Sequence, residues 1–405
     1  MTINLETPKK FKPLVDQANQ VATEVFRPIS RKYDEAEHTY PKELDMLASL
    51  IDGMNEGGES ASGAAGVRRE ESGADEGNRN GSNLSTVLGI IELGWGDLGL
   101  LLSLPRQGLG NSAIASVATD EQLEHYGGRW AAMAITEPEA GSDSASIRTT
   151  AVLDEETGEY VLNGEKIYVT SGERADLVVV WATLDRNVGR AAIKSFVVER
   201  SNPGLILERL EHKLGIRASD TAAFRLENCR VPKEDLLGTP DIDAKKSFAG
   251  AMQTFDNTRP LVAAMAVGLA RACIEETQRL FSEAGLETDP DKPIALQPAA
   301  AAELLSMEAD YEAARLLTLE AAWMADNRKP NSLQASMAKA KAGRTCTDVA
   351  LRCVRIAGAA GYTEHELLEK WARDAKILDI FEGTQQIQLL IVARQLLGKT
   401  SADLR

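Results

Sequence analysis

Cysteine is scarce in this sequence: Cys229, Cys273, Cys346 and Cys353 are the only four among 405 residues, with no CxxC pair and no Cys/His spacing of a metal site. They read as reduced core thiols, which excludes a disulfide framework or a structural zinc. Histidine is equally sparse, four in all and dispersed, so no metal is expected. No stretch approaches the ~20 consecutive apolar residues that span a bilayer. The opening residues, MTINLETPKKFKPLV, lack the apolar core and small-residue cleavage site of a secretory signal, and a cytoplasmic protein without a membrane span is expected. Positive charge is the minority sign: 45 Lys and Arg against 61 Asp and Glu leave a net −16, a field that repels nucleic acid and anionic membrane surfaces. No repeat of fixed period is present, which disfavours a solenoid.

What the chain does have is length and a 43% hydrophobic content, enough for two or three packed units. Helical spacing runs through Leu14, Ala18, Val21, Ala22 and Val25, then Leu44, Leu47 and Leu50. Residues 52–83 turn to Gly, Ser, Glu and Asn and read as a polar loop or insert, after which helical pattern resumes from Leu84 to about Gly127. Strand-like runs follow from Trp130 to Gly238: YVLNG, KIYVT, LVVVWATL, KSFVVER and AAFRL. Asn163-Gly164 between YVL and EKIYVT reads as the turn of a hairpin, because both positions accept positive φ. From Lys245 onward, Ala- and Leu-rich segments at roughly 245–283, 295–328, 332–357 and 384–397 predict a bundle of about four helices. The expected fold is α+β: a helical domain over 1–129, a β-barrel or sandwich domain over 130–240, and a helical bundle over 241–405.

The β segment opens with MAITEPEAGSDSASIRTTA, a small-residue loop whose hydroxyls and backbone N–H groups could hold a planar heterocycle or a phosphate, or could merely lead into a strand. Near the C-terminus Glu382 stands in FEGTQQIQLLIVAR, where Gly383 and Thr384 look like a loop and cap before the helical pattern Ile387, Leu390, Ile391, Arg394, Leu397. In isolation that glutamate could be a solvated residue at a helix start.

TEPEAGSD resembles the flavin-binding signature of the acyl-CoA dehydrogenase family, NGEKIYVTSG its second flavin motif, FDNTRPLVAAMAVGLA its substrate helix, and FEGTQQIQLLIVAR its catalytic segment. The four occur in the family's order and cover nearly the whole chain outside the polar insert. The resemblance implies an FAD enzyme that oxidises the α,β bond of an acyl-CoA thioester to the trans-2-enoyl-CoA. Glu382 would take the α-proton, a flavin ribityl hydroxyl and the Glu382 backbone N–H would hold the thioester oxygen, and flavin N5 would accept the hydride. A dry site disfavours the charged carboxylate and strengthens it as a base. Implied cofactor contacts are Ile135, Thr136, Gly141 and Ser142, then Tyr168, Val169 and Thr170, with Thr384 and Gln386 from the catalytic segment. Tyr168 stands where the family often has a tryptophan and keeps an aromatic face for the flavin ring. Ser142, Asp256, Arg259 and Arg394 are implied at the acyl-CoA site, although Asp256 and Arg259 are also spaced as an intrahelical pair.

The pattern breaks in SEAGLETDPDKPIALQPAA, where the family's cross-subunit arginine and phenylalanine-glycine are absent and only Gln297 is kept. RIAGAAG places Arg355 and Gly358-Ala359 where the family has a glutamine and paired glycines. The expectation is therefore a tetramer that is heteromeric, in which a related chain supplies the missing contacts; a homotetramer in which Arg355 meets a pyrophosphate is the alternative. Electron-transfer flavoprotein is the implied acceptor. A non-catalytic subunit and an acyl-CoA oxidase-like enzyme stay open, though the length lacks the extra C-terminal domain common in such oxidases. Acyl chain length is not legible.

Overall fold

The computed structural model describes residues 7–48, 80–106, 109–242, 249–400 and 403, with 249–257 described by backbone alone. Most of the polar stretch expected at 52–83 lies outside these residues; its end does not, and Ser82 and Asn83 already belong to a helix.

Before the sheet come α1 (Lys12–Val21), a wider π-type turn at Ala22–Phe26, α2 (Arg27–Glu35), α3 (Ser82–Gly96), α4 (Leu98–Leu101), α5 (Leu109–Val117) and α6 (Asp120–Tyr126). The sheet comprises β1 (Ala131–Ala134), β2 (Thr150–Asp154), β3 (Glu159–Thr170), β4 (Leu177–Thr183), β5 (Ile193–Glu199), β6 (Leu205–Leu210) and β7 (Thr221–Pro232), in the order β1-β4-β2-β3-β7-β6 with β5 on β4. The helices after it are α7 (Ala249–Glu283), α8 (Ala299–Asp326), α9 (Ser332–Ala357), α10 (Ala359–Tyr362), α11 (Leu368–Ala375) and α12 (Gln385–Leu396). We propose the three-part division expected above, and one core packs across it.

β4 is buried at all seven positions. Val178, Val180 and Ala182 enter the core inside the sheet, whereas Leu177 and Val179 meet α5. A strand covered on both faces has no polar side, which is why LVVVWATL reads as a continuous apolar run. The hairpin expected at Asn163-Gly164 is corrected by β3, which runs unbroken through both residues and pairs with β7. The register slips between Leu162 and Gly164, so the dipeptide makes a bulge. Gly164 takes φ +155°, and a Cβ there would lie 2.4 Å from Thr149 Oγ1, so glycine serves a close approach within the sheet.

The largest core unites the helices on either side of the sheet: Leu84, Val87, Leu88 and Ile91 of α3 pack with α7, α8, α9 and α11. At Gly268 of α7 the backbones nearly touch, since a Cβ would sit 2.2 Å from Ile91 O. Asp326, at the end of α8, caps α3 by accepting from the backbone N–H of Gly81 (2.7 Å), Asn83 (2.9 Å) and Leu84 (3.1 Å).

A fully buried polar knot centres on Lys370 of α11. Its ammonium bonds the carboxylates of Asp97 and, at 2.7 Å, Asp374. Asp97 also accepts from Ser30 Oγ and from Leu100 N, and Asp374 accepts from Ile216 N in the loop after β6. Burial alone would lower the Lys370 pKa, but the two carboxylates hold it above its ordinary value. Lys370→Met strands two buried aspartates and should cost about 3–5 kcal/mol in denaturant unfolding. Adding Asp97→Asn and Asp374→Asn should recover much of that loss, because no buried charge is then left alone.

Candidate functional site

The TEPEAGSD loop is fastened to β3 by one buried carboxylate. Glu137 accepts from Arg148 N (2.6 Å), Thr149 N (2.9 Å), Thr149 Oγ1 (2.5 Å) and Lys166 Nζ (2.7 Å). Burial opposes its charge, yet Lys166 and these donors hold the carboxyl below its usual range. Lys166 is fully buried, and burial pushes its amine down to about 8 against the pull of Glu137. It also donates to Ile135 O at 3.1 Å, and Ile167 N donates to Thr136 O at 2.9 Å. The two segments implied to bind flavin are thus locked side by side.

Between Lys166 and Val169 the β3/β7 register slips again, and Tyr168 adopts φ +57°. That conformation costs a non-glycine residue ~1–3 kcal/mol. Its result is a tyrosine 63% exposed at the sheet surface while Val169 stays fully buried in the core. Only the Val169 backbone is therefore available to a ligand. Ile135 is buried, Thr136 and Thr170 are half-buried, and Gly141 and Ser142 are exposed, with nothing within 4 Å of where a Gly141 Cβ would stand. An exposed aromatic face, three hydroxyls and an open glycine fit a flavin ring and its ribityl chain.

The second group of residues surrounds Glu382. The chain turns there through φ +51° at Glu382 and +90° at Gly383 before Thr384 caps α12, its hydroxyl accepting from Ile387 N. Lys339 Nζ donates to Gly383 O at 2.7 Å. Gln388 Nε2 donates to Glu382 O at 3.1 Å and to Gly383 O at 3.2 Å. Although the residue as a whole is half-buried, Glu382 Oε2 is shut off from water and has no hydrogen-bond partner. Burial raises the carboxyl above its ordinary value; a hydrogen bond with Thr258 and the charges of Lys339 and Arg259 oppose this but do not cancel it.

Arg259, 3% exposed, lies on α7 beside this carboxylate, immediately before Pro260, which removes one N–H from the helix interior. Asp256 lies on the same helix with its side chain outside those described. Arg394 is half-buried in the last turn of α12, and Gln386 is exposed in its first turn. Sequence reading missed Thr258, Lys339 and Gln388. A signal for Lys339 existed: Ala335, Ala342 and Cys346 share its helical face, so a lysine stands on an apolar stripe and is itself fully buried.

The structure brings together two histidines that look unrelated in sequence. His38 and His212 meet at a tilt of 60° with ring centroids 4.9 Å apart beside Glu37. Glu37 is already committed to His212 Nδ1 (2.9 Å), Lys213 N (2.9 Å) and Arg217 Nη2 (3.3 Å), and the arginine's charge opposes a metal cation. This is an ion-pair cluster tying the end of α2 to the loop after β6.

Residues 132–229 match the family description "Acyl-CoA dehydrogenase, middle domain" and residues 248–397 match "Acyl-CoA dehydrogenase, C-terminal domain". The chain is 33% identical to the mitochondrial short-chain specific acyl-CoA dehydrogenase of Bos taurus, over 97% of this chain and 92% of that one. It is 32% identical to a subunit of the caffeyl-CoA reductase-Etf complex of Acetobacterium woodii, over 88% and 95%. Among solved structures, butyryl-CoA dehydrogenase from Megasphaera elsdenii superposes with a TM-score of 0.83 at 29% identity, covering 98% of this chain and 100% of that one. The chain belongs to the acyl-CoA dehydrogenase family, FAD-dependent oxidoreductases that act on the CH–CH bond of acyl-CoA thioesters.

Proposed function

We propose that this chain dehydrogenates a short-chain acyl-CoA with Glu382 as the base. The observation that carries this reading is the Glu382 Oε2 atom, closed to water and unpartnered, beside Thr258 and two cations. A carboxylate so placed accepts the α-proton without competition from solvent, and its raised pKa makes it a stronger base once ionised. Ile135, Thr136, Gly141, Ser142, Tyr168, the Val169 backbone, Thr170, Thr384 and Gln386 would hold FAD, which supplies the hydride acceptor when bound. Ser142, Asp256, Arg259 and Arg394 would border the acyl-CoA. Short chains are favoured because the bovine relative is named for short chains.

A heteromeric tetramer is the proposed assembly, with an electron-transfer flavoprotein accepting the electrons, in keeping with the Etf complex named for the Acetobacterium relative. Two residues support the heteromer. Gln297 Nε2 is spent on Asp289 O and Lys292 O of its own loop, and Arg355 is paired with Glu303, which also holds Arg352 at 2.8 Å. Neither is poised for a neighbour's flavin. Tyr362 at 80%, Leu396 at 69% and Leu351 at 56% exposure are large apolar side chains that an assembly could cover.

With butyryl-CoA, the flavin band of the loaded chain should bleach, and Glu382→Gln should slow bleaching by about 10³-fold, within the range of a lost general base. Equal bleaching in the variant would move the base elsewhere. Because Glu382 must be ionised to act and its pKa is raised by burial, the rate should climb with pH through a range above that of ordinary glutamates. Purified alone, the chain should hold less than one FAD per protomer and gain it when co-expressed with a related subunit. A stable, fully flavinated, active homotetramer would contradict the heteromer.

A further inference from the structure

Lys339 aims its ammonium at the turn that presents Glu382. It sits mid-helix in α9, fully buried, and reaches 2.7 Å to Gly383 O. The turn it holds has left-handed φ at two successive residues, one of them a glutamate, a conformation that persists only where its surroundings fix it. From α12, Gln388 Nε2 donates to that carbonyl and to Glu382 O, and a Cβ on Gly383 would lie 2.5 Å from Gln388 Nε2. The turn is thus clamped from both sides, but only the α9 side brings charge. We propose that Lys339 is a positioning residue for the α-proton transfer, fixing the Glu382–Gly383 turn by its bond to Gly383 O and favouring the ionised carboxylate by its charge. This rests on reading Glu382 as the base.

The charged groups facing Lys339 are Glu382 and Asp379 from the segment before α12, and Arg259 from α7. The two carboxylates favour its ammonium and the arginine opposes it. Burial nevertheless pushes the amine down to about 8, so its charge is lost when pH rises past that value. The base and its cation therefore constrain each other: below the carboxyl's own titration Glu382 is protonated and idle, and above about 8 it loses a charge that favours its anion.

Proton transfer is read apart from redox turnover with 3,3-dimethylbutyryl-CoA, which has α-hydrogens but a quaternary β-carbon and so cannot lose a hydride. In D₂O the α C–H bond breaks, the proton goes to Glu382, and a deuteron returns from the exchanged carboxyl, with no net oxidation. The flavin-loaded enzyme should exchange the α-hydrogens, followed by NMR. K339M should slow exchange on the order of 100-fold, as a displaced catalytic group does. It should also move the acid limb of the pH profile upward, because the cation that stabilised the anion is gone, with KM little changed. K339R should restore the limb's position. Wild-type exchange should decline as pH passes about 8, whereas K339R, which keeps its charge, should not; this comparison stands even if K339M does not fold. A K339M enzyme with wild-type rate and limb, or a slowed one whose limb is unmoved and not rescued by arginine, would overturn the proposal. E382Q is measured alongside: if it still exchanges, the base assignment fails; if E382Q is inert while K339M and wild type coincide, only the role of Lys339 fails.

Discussion

Charge taken out of water is the constraint on which this architecture rests. Lys370 has no water available, so its ammonium must find carboxylates, and those it finds come from different stretches of chain: Asp97 from the start of α4 and Asp374 from its own helix. Asp374 in turn holds the loop after β6 through Ile216 N, and Asp97 holds α2 through Ser30. Around this centre a half-buried shell repeats the logic, with Arg373 bonding Asp34 at 2.9 Å and Leu214 O at 3.0 Å. One short helix, α11, is thereby bound to the helices before the sheet and to the loop after β6. Buried ions of this kind add little net stability over apolar packing, but each tolerates few arrangements, so they specify how the parts meet.

The same physics recurs at the two halves of the site with opposite outcomes. Glu137 and Lys166 saturate one another within a ring of donors, and the result is a rigid ledge from which Tyr168 is turned outward. Around Glu382 the pairing is left incomplete. Thr258, Lys339 and Arg259 stand near enough to temper the carboxylate, yet one oxygen remains without a partner and burial keeps the pKa raised. A carboxylate with every lone pair satisfied would be a poor base, and one in open water an ordinary base.

Much of this was legible in the sequence, for reasons that can be stated. The long helices after the sheet, expected at 245–283, 295–328 and 332–357, are found at 249–283, 299–326 and 332–357, because a helix's apolar stripe and flanking breakers are local signals. Thr384 as a cap was readable for the same reason. Asn163-Gly164 misled because a dipeptide that favours positive φ suits a bulge as well as a turn, and only pairing with the distant β7 decides between them. Helix α11 went unseen because it is only eight residues long and half of them are charged, and the partners of Lys370 and Arg373 include Asp97 and Asp34, hundreds of residues away. Glu382 was found through its motif, whereas Lys339 and Thr258, which shape its chemistry, carry no local signature beyond a charge on an apolar face.

The central claim is that burial outweighs three stabilising neighbours at Glu382 and leaves its proton affinity high. Infrared difference spectroscopy across pH, with the glutamate carbonyl assigned by its loss in Glu382→Gln, tests this without relying on turnover. The account predicts a protonated carboxyl band that persists above the ~4.3 of an unperturbed glutamate. A band that vanishes at or below that value would show that Thr258, Lys339 and Arg259 win, and would contradict the account.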